Sequence, residues 1–206
     1  TSIQSMRGCP WHCIFCASDK LNTTAVSKRS PESIIEEMKQ VIDNFGVRHF
    51  FVVDDVLTLY FDQHQKIICE YIIQEKMNVT FEGSTRSNLI DEKNVALMAE
   101  AGLIRLSFGL ETVDSEMRKT MKKQVPLKWY SRANKILNTY NVEASNSVMI
   151  GLPGETRTTI KKTLDFLEND PYVKQANFAI AVPYPGTEFY DIAAGGQQGM
   201  ELLTDD

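Results

Sequence analysis

Three cysteines crowd into the run Arg7-Gly8-Cys9-Pro10-Trp11-His12-Cys13-Ile14-Phe15-Cys16 near the start of the chain. Thiolate sulfur is a soft donor that suits zinc or iron–sulfur clusters, and spacings of four and three let one short loop wrap a compact inorganic core. Structural zinc takes four protein ligands, usually as two separated pairs. No second pair is present, so a zinc site would have to recruit His12; the fourth cysteine, Cys69, stands alone in an amphipathic stretch where packing is the expected role. A four-iron cluster on three cysteines instead leaves one iron with an open position, which a reaction at the cluster requires. A noncatalytic electron carrier would close that position with a fourth thiolate.

Such a loop needs a frame. Six times a short run rich in β-formers gives way to helical spacing, which predicts parallel strands joined by crossover helices. The expected strands cover residues 3–6, 49–53, 79–84, about 105–108, about 143–150 and about 177–182. The first long helix opens with Ser30 as N-cap and Pro31 at the first helical position. It places Ile34, Ile35, Met38, Val41, Ile42 and Phe45 on one face and stops at Gly46. The second starts at about Asp62, with Asp62 and Gln65 as a capping box and Ile67, Ile68, Tyr71 and Ile72 facing inward. A helix over about 91–101 ends at Gly102, helical spacing leads up to Tyr140, and a last helix over about 156–168 buries Ile160, Leu164 and Leu167. Six βα units are fewer than the eight that close a barrel. The fold class is therefore α/β, a partial (β/α)6 TIM-like barrel of parallel strands with outer helices and a lateral opening. In such folds the chemistry gathers at the carboxyl ends of the strands, so the loops starting at Arg7, Asp54, Thr85, Gly109, Gly151 and Pro183 should converge.

A chain of 206 residues, 43% hydrophobic and 24% charged, is long enough for one substantial core, and residues 1–206 read as a single domain. It opens inside a strand without an initiator Met and stops in a polar tail, as an excerpt of a longer protein would. No apolar run reaches the roughly 20 residues that span a bilayer, and the first residues lack the blocks of a signal peptide. With thiol ligation needing reducing conditions, a cytoplasmic location and no membrane partner are expected. The net charge of −5 gives no general attraction to nucleic acid. The chain holds no G-x-x-x-x-G-K-[ST], H-E-x-x-H or G-x-S-x-G motif, which sets aside several hydrolytic and phosphate-binding chemistries.

The spacing C-x3-C-x2-C, with Phe15 just before its last cysteine, resembles the signature of radical S-adenosylmethionine (SAM) enzymes. Ser107-Phe108-Gly109-Leu110-Glu111-Thr112, Met149-Ile150-Gly151-Leu152-Pro153-Gly154-Glu155-Thr156 and Tyr184-Pro185-Gly186-Thr187 resemble that family's segments after strands four, five and six. The resemblance implies a [4Fe-4S] cluster on Cys9, Cys13 and Cys16 whose open iron binds S-adenosyl-L-methionine, and reductive cleavage to a 5'-deoxyadenosyl radical that abstracts hydrogen from substrate. It also implies a reducing partner such as flavodoxin or ferredoxin and a small-molecule or peptide substrate. Carried over by position, Asp54 and Asp55 would hold the methionine amino group, Ser84 and Arg86 the cofactor carboxylate or substrate, and Glu111 the ribose or methionine end. Gly151 would approach the adenosine, and Phe15, Val182 and Pro183 would pack near the adenine.

Phe51-Val52-Val53-Asp54-Asp55 with the later Gly-Leu-Glu and Gly-Leu-Pro-Gly-Glu-Thr looks most like the branch associated with cobalamin-binding domains, many of whose members are methyltransferases. A D-x-H-x-x-G cobalamin signature is absent from these residues, so any such site would belong to a domain outside them. A methylthiotransferase acting on tRNA or a ribosomal protein is the alternative reading. Asp-Asp after strand two, where that group usually has Gly-Gln, speaks against it.

Overall fold

Residues 5 and 6 turn their backbone N–H groups to the Asp54 carboxylate, at 2.7 and 2.9 Å, instead of to a neighbouring strand. In the computed structural model, which describes residues 1–200, the expected first strand is therefore two. Ser2–Ile3 (β1) joins the main sheet, while Met6–Arg7 (β2) leaves it to pair antiparallel with Ser27–Lys28 (β3) beyond the short helix Ser18–Leu21 (α1). The polar tail at 201–206 lies outside the described residues.

Pro31–Phe45 (α2) begins as its sequence dictates, with Ser30 Oγ accepting from the Ser33 N–H at 3.2 Å and Gly46 closing it in the left-handed region. Burial fades along it. Ile34, Ile35 and Met38 are buried, Val41 and Ile42 are partly covered, and Phe45, expected inward, is 76% exposed at the last residue of the helix. After His49–Val52 (β4) the helix Gln65–Gln74 (α3) starts later than expected. The Asp62–Gln65 box does not form. A 3-10 turn at Phe61–Gln63 buries Phe61, and His64 is buried with its Nε2 2.8 Å from the Arg29 carbonyl, so core contacts set this entry.

Thr80–Thr85 (β5) leads to Glu92–Glu100 (α4), capped by Asp91, and to Leu103–Glu111 (β6), which outruns its expected end at residue 108. Ser115–Thr120 (α5) and Leu127–Thr139 (α6) precede Glu143–Ile150 (β7), whose bounds match expectation. Arg157–Asn169 (α7) opens with a Thr156–Thr159 capping box; it buries Leu167 but leaves Leu164, expected inward, exposed. Gln175–Ile180 (β8) starts and stops two residues before expectation, and Glu188–Ala194 (α8) follows.

Six strands form one parallel sheet in the order β1-β4-β5-β6-β7-β8, with β1 and β8 as its edges. This is the partial barrel expected: sequential βα units, open at the side. One face carries the main core, where Phe50, Phe81, Leu106 and Phe108 meet Ile68, Val95, Met98 and Leu137 of the helices. Cys69 is buried there, its thiol pushed up to about 12 by burial, in keeping with a packing role. Across the strands a polar ladder runs from His49 to Glu82 (3.0 Å), Glu82 to Arg105 (2.9 Å) and Arg105 to Glu143 (2.8 Å). Among the described residues, no helix is long and apolar enough to cross a membrane.

Candidate active site

The cysteine loop leaves β2 at Gly8, which has φ +108° and where a Cβ would stand 2.6 Å from the Ala25 carbonyl oxygen. Glycine alone lets the loop pass the returning chain so closely. Cys9, Cys13 and Cys16 follow as free, partly exposed thiols. Burial pushes the Cys9 and Cys16 thiols up, backbone donors at Trp11 and Ser18 pull against it, and the neighbouring cysteines add to the rise. Thiols held this close resist ionising together unless a cation joins them. Among the described residues no three His, Cys, Asp or Glu side chains are gathered tightly enough to hold a metal ion as they stand. The fit to an iron–sulfur cluster lies in the donor set: three soft thiols on one loop, with an N–H aimed at sulfur from Ser18 to Cys16 at 3.5 Å. His12, within that loop, is exposed and lies 3.6 Å from Asp19.

Two carboxylates at the end of β4 hold the loop's base. Asp54 is buried and takes the N–H groups of Ser5 and Met6 on one oxygen and the Ser5 hydroxyl on the other. Asp55 accepts from the Gly8 N–H at 2.9 Å, from the Ser18 hydroxyl and from the Asn22 amide at 3.3 Å, spanning both ends of the cysteine run. A second small core grips the loop's middle. Ile14 is buried with Met117, Met121, Leu152, Ala181 and Phe189. Its N–H donates to the Met121 carbonyl at 3.2 Å and its carbonyl accepts from Phe189 at 3.0 Å.

Glu111 ends β6 in the left-handed region (φ +60°) and buries its carboxylate against Lys123, Oε1 to Nζ 2.7 Å. Burial is the largest influence on the Lys123 ammonium and pushes it down, but the Glu111 charge and hydrogen bond, together with Tyr130 and Cys13, outweigh it and the net shift is upward. Gly109 makes room: a Cβ there would lie 1.9 Å from Glu111 Oε1 and 2.3 Å from Lys123 Nζ. The Gly109 carbonyl in turn accepts from the Tyr130 hydroxyl at 2.8 Å. Lys123 Nζ also sits 5.7 Å from the centre of the Phe15 ring, which brings this ion pair to the cysteine loop.

Residues 3–167 match the Radical SAM superfamily. The chain belongs to that superfamily. Radical SAM proteins use a [4Fe-4S] cluster and SAM. The chain is 30% identical over 93% of its length to a Pyrococcus horikoshii protein described as an uncharacterized methyltransferase. It is 27% identical over 89% of its length to the anaerobic magnesium-protoporphyrin IX monomethyl ester cyclase of Rubrivivax gelatinosus. It spans 41% and 33% of those two relatives. Among solved structures, the radical SAM methyltransferase TsrM of Kitasatospora setae superposes with a TM-score of 0.84 over 94% of this chain and 39% of that one, at 18% identity, a likeness of fold.

On this radical SAM frame the structure gathers Phe15, Glu111 and the cysteines, with Asp55 bracing them from beneath. Arg86 stacks 4.2 Å over the Trp11 ring of the cysteine loop, its Nε buried without a partner among the described residues. Ser84 lies beside Ser107 in the β5–β6 register. Gly151 is exposed at φ +94° with its N–H held by Glu155 at 2.5 Å, and Val182 stands 49% exposed just past β8. Sequence reasoning missed Lys123, Trp11 as the seat of Arg86, and the Ile14 clamp. A lysine in a polar stretch and a lone isoleucine between cysteines carry no periodic signal; only Gly109, two residues before an acid, hinted at a crowded pair.

Proposed function

We propose that this chain is the SAM-cleaving core of a radical SAM enzyme allied to the cobalamin-associated methyltransferases. The observation that carries the proposal is a loop with three free thiols, tied at its base by Asp55 and at its middle by Ile14, beside a buried acid–base pair at the end of β6. Cys9, Cys13 and Cys16 would hold the [4Fe-4S] cluster, which supplies the electron that splits SAM into methionine and a 5'-deoxyadenosyl radical. The protein's own work is placement and dryness. Glu111, fixed by Lys123, offers an oriented carboxylate to the cofactor's polar end, while Phe15 and the Ile14 core shut water out from behind. Gly151 and Val182 leave open the rim that the adenosine would occupy. A cavity bordered by Cys13, Cys16, Lys122 and Thr187 opens the loop's outer side to solvent, where a flavodoxin or ferredoxin could approach.

Methyl transfer is favoured by the Pyrococcus relative's description and by hopanoid methylases among the other similar proteins. The structural relatives TsrM and OxsB are described with cobalamin bound, so cobalamin on a further domain belongs to the same reading. The test is anaerobic reconstitution of the full-length protein, followed by dithionite and SAM. 5'-Deoxyadenosine is expected from the wild type and from none of Cys9→Ala, Cys13→Ala and Cys16→Ala. Undiminished product from all three variants would reject the cluster assignment. Cobalamin retained through gel filtration supports the methyltransferase branch, and its absence with cleavage intact would remove that branch alone.

A further inference from the structure

Arg118 on α5 is 6% exposed, and its guanidinium lies 5.2 Å from the centre of the Tyr130 ring. Among the described residues its Nη2 has no hydrogen-bond partner, and no carboxylate forms an ion pair with it. Burying an always-charged fork without a counter-ion is costly, and such a group ordinarily faces an anion. Arg118 lines a cavity together with Ser115, Lys119, Gln124, Val125 and Leu127. A second feature of the same cavity points the same way. Leu127 begins α6, a helix of 13 residues whose N-cap is Pro126, with no side chain capping the first turn. The Trp129 N–H turns back to the Pro126 carbonyl at 3.0 Å, which among the described residues leaves the Leu127 and Lys128 N–H groups and the positive end of that helix without a side-chain cap beside the cavity.

We propose that this cavity is an anion site for a phosphate-class oxyanion, with Arg118 as its principal contact. Ser115 and Gln124 add neutral hydrogen-bonding groups, Lys119 adds charge at the rim, and Val125 and Leu127 provide an apolar wall for the organic part of a phosphorylated small molecule. The site is separate from the cysteine loop yet adjoins its support: the Arg118 carbonyl accepts from the Lys123 N–H at 3.0 Å, and Met117 and Met121 of the same turn hold Ile14. It goes beyond the SAM-cleaving role and does not depend on it.

Inorganic phosphate is titrated into the cofactor-loaded full-length protein by calorimetry at constant ionic strength. Saturable binding is expected, and Arg118→Gln should weaken it by about tenfold or more, the loss of a charge-assisted hydrogen bond. Gln124→Leu, which leaves the Arg118–Tyr130 stack intact, should weaken it severalfold and decides the matter if Arg118→Gln does not fold. Saturating SAM should leave phosphate affinity unchanged. No saturable binding, affinity unmoved by either substitution, or displacement by SAM would each overturn the assignment.

Discussion

Glu111 and Lys123 bury opposite charges in contact, and neither could stay there alone. Removing one partner of a buried ion pair strands the other, at a cost of about 3–5 kcal/mol. Lys123→Met is therefore expected to lower unfolding free energy by about that much in urea titrations, and Glu111→Gln with Lys123→Met to recover most of it. A single variant as stable as the wild type would show that the pair is not buried in this way. Asp54 carries a different signature. Burial is the largest influence on it and pushes its carboxyl up, against donors from Met6 and Ser5. An acid raised in this way binds its proton more tightly folded than unfolded, so stability falls as pH rises from the ordinary Asp value, about 4, through the folded one. Asp54→Asn keeps an acceptor for both N–H groups and offers an N–H to the Ser5 hydroxyl. It should gain on the wild type as pH rises through that window, and parallel stability–pH curves would refute the account.

At the scale of elements, the cysteine loop is a lid fastened at two depths. Asp55 ties both its ends to β4, and the Ile14 core ties its middle to α5 and α8. Asp55→Ala removes the acceptor of three bonds, each worth about 1 kcal/mol. The loss should be local: faster amide exchange over residues 8–22 and less iron per chain after reconstitution, with the global unfolding midpoint nearly unmoved. Full iron content with unchanged exchange would show that the loop stands without its brace. Phe189, fully buried beneath Ile14, explains why the Tyr-Pro-Gly-Thr segment leads into a short helix at this place. That helix is part of the loop's floor.

For the whole molecule, the open sheet has an unequal pair of edges. β8 exposes Phe178 (52%) and Ile180 (80%), apolar side chains on a strand with one unpaired side, which is a setting for edge-to-edge association. Ile180→Thr in residues 1–206 expressed alone is expected to change stability by less than about 0.5 kcal/mol while reducing light scattering at high concentration. Unchanged scattering would clear the edge of that liability. The alternation of β-formers with helical spacing, the Ser30-Pro31 and Gly46 signals and the C-x3-C-x2-C spacing made six parallel βα units and a three-cysteine loop legible in the sequence, because periodicity, capping and residue spacing are local properties. The split first strand, the late start of α3, the exposed Phe45 and Leu164, and the meeting of Glu111 with Lys123 were not legible. Each is decided by which distant group fills a hydrogen bond or a volume: Asp54 draws Ser5 and Met6 out of a ladder 48 residues or more away, and Gly109 leaves a space that matters only once β6 and the turn after α5 come together. Local chemistry marked out the cysteine loop; long-range packing decided what holds it.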